Sequence, residues 1–277
     1  MILGGFGMIK EPLGPIGSPA QFKEIVADSI GCAVQELNKV SRDQTASVLL
    51  PIQWEKGSDP VILLNKRSSS VRQPGDLCCP GGRVDGFIDE ILGALLRIPI
   101  LPFPKSRAWH RCAANLSSRT KRVLSVFWAA CLRESWEEMG LVPWKVEFLG
   151  VLPLYRLRLF QRQILPMVGW IHGQARFKPN WEVERILPVS LKDLLNPANY
   201  VAYRINNHPR TGENVFPAYL HQEGSEKEIL WGATYWIVES FLRLSLKFQP
   251  PPMGSRPLVE GELAQNYLTG GRAKNSG

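Results

Sequence analysis

Residues 132–141 read Leu-Arg-Glu-Ser-Trp-Glu-Glu-Met-Gly-Leu. They close a run whose apolar spacing predicts a helix from about Arg119 to Met139, stopped by Gly140 and by Pro143 beyond it. At ~100° per residue, with Phe127 as zero, Val123 and Cys131 lie about 40° to either side, Glu134 and Glu138 within about 20°, and Glu137 about 80° away. The stripe that is apolar for three turns therefore turns acidic in its last turn. It does so at the C-terminal end, where the helix dipole favours cations, and like charges four residues apart add a small penalty. Ordinary surface acids on an exposed helix end are the plain alternative. A divalent cation removes the conflict: Glu134, Glu137 and Glu138 at i, i+3 and i+4 offer oxygen ligands of the kind Mg²⁺ or Mn²⁺ takes. Arg133, four residues before Glu137, is placed to orient that carboxylate through a charge-assisted hydrogen bond.

Outward from this helix, the chain of 277 residues allows one large domain or two small ones. With 44% hydrophobic and 21% charged residues it is no disordered chain, collagen or coiled coil. No uninterrupted apolar run reaches the ~18 residues of a membrane span, and the first residues, MILGGFGMIKEPLGPIG, do not read as a signal peptide. Five cysteines without a periodic framework suit reduced thiols and a cytoplasmic location. The net charge of +8 is local: residues 91–122 hold Arg97, Lys105, Arg107, Arg111, Arg119, Lys121 and Arg122 and no acid. Such a segment attracts phosphates or an anionic surface, or simply forms a solvated basic loop.

The pattern predicts a loose arm over 1–20 and a helix over about 21–39. Strands are expected at Ala46–Trp54 and Val61–Lys66, then a Gly/Pro/Ser loop over 67–86 with too many breakers for a regular element. Residues 91–121 read as a basic insertion before the acidic helix. Further strands are expected at Val146–Arg156, Arg162–His172, Val183–Leu187, Tyr200–Ile205 and Val215–Leu220. Leu191–Leu195 reads as a short helix, Ile229–Leu246 as a final one, and 248–277 as a disordered tail. Strands alternating with few helices indicate a layered α/β fold, and 21–247 reads as a single domain.

Arg133-Glu134-Ser135-Trp136-Glu137-Glu138-Met139-Gly140-Leu141 resembles the second half of the Nudix box, G-x5-E-x7-R-E-U-x-E-E-x-G-U, with Ser135 at a bulky aliphatic position. Counting back puts Ser125 and Arg119 where the first Glu and Gly belong. The missing half resembles Pro80-Gly81-Gly82-Arg83-Val84-Asp85, with Asp89 or Glu90 as the displaced acid; 43 residues then separate Asp89 from Arg133 instead of seven. That excess matches an insertion splitting the box. Leu63-Leu64-Asn65-Lys66-Arg67-Ser68, Arg72 and Gly75-Asp76-Leu77-Cys78-Cys79-Pro80-Gly81-Gly82 are similar to the additional signature of the coenzyme A pyrophosphatase branch, with Asn65 for its Thr and Cys79 for its Phe.

The resemblance implies a Nudix-type α/β/α sandwich with a mixed β-sheet, holding Mg²⁺ or Mn²⁺ on Glu134, Glu138 and Glu137. The implied reaction is hydrolysis of the diphosphate of coenzyme A or acyl-CoA to 3′,5′-ADP and (acyl-)4′-phosphopantetheine. Glu134 or Glu137 is then the expected general base, with Glu182 and Glu184 as alternates. Arg67 and Arg72 are expected to bind substrate phosphates, beside a Gly81–Gly82 backbone that needs close approach; Arg107, His110 and Arg111 are further candidates within the insertion. The expected partner is a small nucleotide, not nucleic acid, with a homodimer left open. ADP-ribose, another nucleotide diphosphate derivative or a capped RNA end are alternative substrates. A catalytically silent nucleotide- or RNA-binding module is the alternative from another class.

Overall fold

The segment Thr45–Trp54 (β1), TASVLLPIQW, is apolar on both faces, and such a strand belongs in the middle of a covered sheet. The computed structural model, which describes residues 17–31, 37, 40–54, 59–98, 106–114, 116–157, 162–206 and 214–271, places it there. Leu50 and Ile52 face one hydrophobic core and Leu49 the other, following the two-residue period of a strand.

β1 is joined by Pro60–Arg67 (β2), Leu77–Cys78 (β3), Gly81–Arg83 (β4), Val146–Val151 (β5), Tyr155–Arg156 (β6), Gln163–Ile171 (β7) and Val183–Ser190 (β8) in one mixed sheet. β7 runs parallel to β1 along its length, and the other pairings are antiparallel. β1 and β2 pair only at Ile52–Ile62, Gln53–Val61 and Trp54–Pro60. Beyond those positions β1 pairs with β4 through Ala46–Val48, while β2 pairs with β3 at Asn65 and Lys66. Asn65 and Gly81 thus stand on different strands at the end where the hairpin has opened.

Both faces are covered by helices. Pro19–Ile30 (α1) contributes Phe22, Val26 and Ile30 to one core, together with Ile237, Phe241 and Leu242 of the C-terminal helix Gly232–Leu246. Ile88–Leu96 (α2), Arg107–Ala113 (α3) and Ser118–Met139 (α4) lie on the other side, where α3 and α4 bury Trp109, Leu124, Phe127, Trp128 and Cys131. This is the expected α/β fold with a mixed sheet. Leu191–Leu194 (α5) leads to a second sheet of Tyr200–Ile205 (β9), Val215–Glu223 (β10), Glu226–Leu230 (β11) and Leu258–Gly261 (β12); the C-terminal helix, Gly232–Leu246, is α6.

Several expectations need correction. Helix α1 starts at Pro19, capped by Ser18 Oγ accepting from Gln21 N at 3.2 Å, so the loose arm does not extend to residue 20; residues 1–16 lie outside the described set. The loop 67–86 holds two short strands, because β2 and β1 each leave an edge that backbone groups must satisfy. Stretch 91–121 contains most of α2, all of α3 and the start of α4. Ile229 and Leu230 end strand β11 rather than begin a helix. The tail after Phe248 is ordered through residue 271: β12 pairs in parallel with β9, and Leu263 and Tyr267 are buried in a third apolar cluster. Prolines at its start end the helix but leave that later apolar surface free to pack. Cys112 is disulfide-bonded, departing from the all-reduced expectation, while Cys78, Cys79 and Cys131 are free thiols.

Candidate functional site

α4 is a 22-residue helix capped by Ser117 Oγ at its start and by Gly140 in the left-handed conformation at its end. Its last two turns lie over β4. Asp89, on the first turn of α2, is fully buried and takes a bidentate fork from Arg133: Nε donates to Oδ1 at 2.9 Å and Nη2 to Oδ2 at 3.1 Å. The same guanidinium donates to the Arg83 carbonyl at 3.2 Å and to Glu137 Oε2 at 3.1 Å, and its Nη1 stands 3.1 Å from Glu134 Oε1. Arg133 thus joins Asp89, seven residues after Gly82, to two acids of the helix end. Of the two candidates for the displaced acid, Asp89 is the one that meets Arg133. Glu90 is turned away onto Arg42 and Arg122.

Ser125 is no ligand: buried, it donates its hydroxyl to the carbonyls of Lys121 and Arg122 inside α4. Ser135 is likewise buried, donating to the Cys131 carbonyl at 2.6 Å, which lets a polar residue stand at an apolar position.

Glu138 sits deeper than its neighbours. Asn65 Nδ2 donates to its Oε2 at 2.9 Å, and the Gly81 N–H donates to its carboxylate. Burial and the nearby Glu134 charge nevertheless push its pKa up to about 8. Burial also raises that of Glu134, with Arg133 opposing. Asn65 is fully buried in β2, and its Oδ1 has no hydrogen-bond partner. Two repelling, partly desolvated carboxylates therefore share their surroundings with an orphaned oxygen acceptor. The Gly82 backbone comes so near that an added Cβ would lie 2.5 Å from Glu134 Oε1.

The three glutamates do not converge on one point. Among the described residues, no group of three His, Cys, Asp or Glu side chains is gathered to hold an ion. Arg133 Nη1 stands 3.1 Å from both Glu134 Oε1 and Glu137 Oε2, so a cation of the chain itself joins those two, while Glu138 is held by Asn65 and Gly81.

Of the other candidates, Arg67 lies within electrostatic reach of Glu138. Its charge opposes the rise at Glu138, and its Nε donates to the Arg72 carbonyl at 2.7 Å. The Arg72 side chain is exposed. Glu182 acts electrostatically on Glu138, whereas Glu184 pairs with Lys66 at 3.1 Å. Arg107 and Arg111 pair with Glu24 and Asp28 of α1, and His110 lies on the same short helix, so the structure gives this trio no role beside the glutamates.

Sequence reading missed the residues that hold Arg67. Arg67 N donates to the Asp76 carbonyl at 3.0 Å. Asp76 is partly buried and accepts from Trp231 Nε1 at 3.1 Å and from Tyr267 Oη at 2.6 Å, while Tyr267 O accepts from Gln73 N at 2.7 Å. The C-terminal segment thereby clasps the loop between β2 and β3. Asn65 was visible as one polar residue ending an apolar strand, where burial requires a partner.

No family model matches the chain. A protein of Pectobacterium atrosepticum described as an uncharacterized Nudix hydrolase, NudL, is 28% identical over 217 residues, 77% of this chain and 88% of that one. Its namesake in Enterobacter sp. is 26% identical over 216 residues, 76% and 89% of the two chains. Among solved structures, a MutT/nudix family protein from Enterococcus faecalis shows a TM-score of 0.37 at 13% identity, covering 82% of this chain and 74% of that chain. Over about three quarters of its length the chain is thus similar to two proteins described as Nudix hydrolases. Among the described residues, no helix is long and apolar enough to cross a membrane.

Proposed function

We propose that the chain is a metal-dependent Nudix diphosphatase whose substrate is coenzyme A or an acyl-CoA, cleaved to 3′,5′-ADP and (acyl-)4′-phosphopantetheine. The observation that carries this reading is the partly buried pair Glu134 and Glu138, set against the Gly81–Gly82 backbone and the unpartnered Asn65 Oδ1. A divalent cation fits that donor set: it relieves the repulsion of two desolvated carboxylates, and Mg²⁺ completes its shell with waters rather than a protein cage. Glu134 and Glu138 would hold it, with Glu137 the third candidate. When bound, it supplies charge neutralisation for the diphosphate and a more acidic water.

The chain's own residues do the rest. Arg133, anchored by Asp89, holds Glu134 and Glu137 in place. Arg67, on the Glu138 side of the loop, supplies a planar cation for substrate phosphate, with exposed Arg72 as a second contact. Glu134 or Glu137 accepts the proton of the attacking water, with Glu182 the better placed alternate because Glu184 is engaged by Lys66. The coenzyme A assignment rests on the resemblance of residues 63–82 to that branch's signature.

The test is incubation with coenzyme A, ADP-ribose and a diadenosine polyphosphate, each with Mg²⁺ or Mn²⁺ and with chelator, resolving products by chromatography and mass. Chelator-sensitive release of 3′,5′-ADP is the expected result. Cleavage of only the other compounds retains the chemistry and discards the coenzyme A branch, and no cleavage at all favours a silent nucleotide-binding module.

A further inference from the structure

Helix α2 is built inside out. At ~100° per residue, Phe87, Ile88, Ile91, Leu95 and Ile98 fall within an arc of about 100°. That arc faces water: the five side chains are 76%, 46%, 48%, 46% and 43% exposed. The polar residues point inward, beside Leu96, which packs against the core. Asp89 is fully buried on Arg133, and Glu90 pairs with Arg42 and Arg122. Gly93 seals the inner face, where an added Cβ would lie 3.0–3.1 Å from the backbone of Ser125 and Val126 in α4. The helix cannot roll over to bury its apolar side without exposing the Asp89–Arg133 pair. An apolar patch fixed outward in this way marks an interaction surface.

The charge beside it selects the occupant. Asp89 meets Arg133 and Gly93 meets 125–126, so α2 runs antiparallel to α4, and its C-terminal end lies toward the first turn of α4. That end carries Arg97, Arg119 and Lys121, which form no ion pair among the described residues, and no acid occurs anywhere in 91–122. A second copy seated on this face brings its own Arg97, Arg119 and Lys121 and supplies no cluster of acids to meet them, no acid lying in 91–122. We propose that the outer face of α2 docks on an anionic lipid surface. The five apolar side chains enter the headgroup–acyl boundary and the adjacent cations pair with lipid phosphate and carboxylate, the mode of an interfacial amphipathic helix. This inference does not depend on the substrate assigned above.

Vesicle co-sedimentation tests it, with the full chain, phosphatidylcholine vesicles and mixed phosphatidylcholine–phosphatidylserine vesicles. The chain is expected to pellet with the mixed vesicles, less so as salt rises. Ile91→Glu with Leu95→Glu is expected to lower the bound fraction at least about tenfold, with an unchanged melting temperature because both positions are already exposed. Arg97→Glu with Arg119→Glu is expected to abolish the preference for mixed over pure phosphatidylcholine vesicles, an independent reading should the first variant misfold. Failure to pellet, equal pelleting of wild type and both variants, or equal binding to both vesicle types overturns the proposal. So does a wild-type dimer in sedimentation velocity that the Ile91/Leu95 variant converts to monomer, since the face is then a self-interface.

Discussion

Gly81 and Gly82 stand side by side in β4, yet alanine at each should damage a different property. At Gly82 the new Cβ would lie 2.5 Å from Glu134 Oε1 and 2.6 Å from its Cδ. Restoring ordinary contact requires the carboxylate to retreat by about 0.9 Å, and a misplacement near 1 Å in a catalytic array costs ~100-fold in rate. The obstacle is the far end of a flexible side chain, and Gly82 is not at positive φ, so Gly82→Ala should leave stability within about 1 kcal/mol of wild type. At Gly81 the Cβ would meet Ser47 O at 2.4 Å and Val48 Cα at 2.5 Å, with φ at +149°. Those atoms belong to the central strand, which is packed on both faces and cannot yield. Gly81→Ala should therefore lose ~2–4 kcal/mol. Denaturant unfolding and coenzyme A hydrolysis, measured on both variants, separate the effects. Full turnover by Gly82→Ala would refute the placement of Glu134 in the reacting array, and equal unfolding of both variants would refute the distinction between side-chain and backbone obstacles.

Glu138→Gln should lower turnover at least about a hundredfold, while its melting temperature in metal-free buffer should not fall, because the amide, like the protonated carboxyl that burial favours, carries no charge; near-native turnover would contradict the metal-helix reading. Arg133→Ala should cost about 3–5 kcal/mol in urea unfolding, since it strands the buried Asp89 charge, and Asp89→Asn with Arg133→Met together should recover part of that loss. Burial holds the Asp76 carboxyl at about 6, above its ordinary 3.8, against the hydrogen bonds of Tyr267 and Trp231. The folded state therefore keeps that proton longer; the contribution is full below the unfolded pKa and is lost as pH rises through the folded one, ~3 kcal/mol over about two pH units. The difference in unfolding free energy between Asp76→Asn and wild type should widen in favour of the variant from about pH 4 to about pH 6.5, and a constant difference would refute the assignment.

What could be read from the sequence divides along physical lines. The long strands of the first sheet and α4 were legible, the strands because buried strands read as continuous apolar runs and the helix because its apolar residues recur with a period of 3.6. β4 was not, since three residues reading Gly-Gly-Arg have no apolar pattern; only the pairing of Ser47 with Gly82 makes them a strand. β11 was merged into the last helix because Ile229, Leu230 and Ala233 suit either element. What separates them is Gly232 at positive φ, together with the ladder of β11 on β10. The tail was misjudged for the same reason: its order comes from Tyr267 and from β9, neither of which is local to its prolines.

The same division runs through the candidate site. Glu134 and Glu138 were found because their position on one helix conflicts with its dipole and apolar stripe, a conflict contained within one element. The convergence of Glu137 with them was inferred from spacing alone, and spacing does not show that the helix's own Arg133 already engages both Glu134 and Glu137. Arg133 competes for Glu137 only because Asp89, 44 positions earlier in the chain, fixes the guanidinium edge-on. Asp89 can occupy that place despite the long interval because α2 packs antiparallel on α4 through Gly93, returning the chain beside the residue it left. The two halves of the site are thus reunited by a helix–helix contact, not by sequence proximity. A longer or shorter stretch between α2 and α4 should therefore be tolerated as long as the Gly93 contact and the Asp89–Arg133 fork survive.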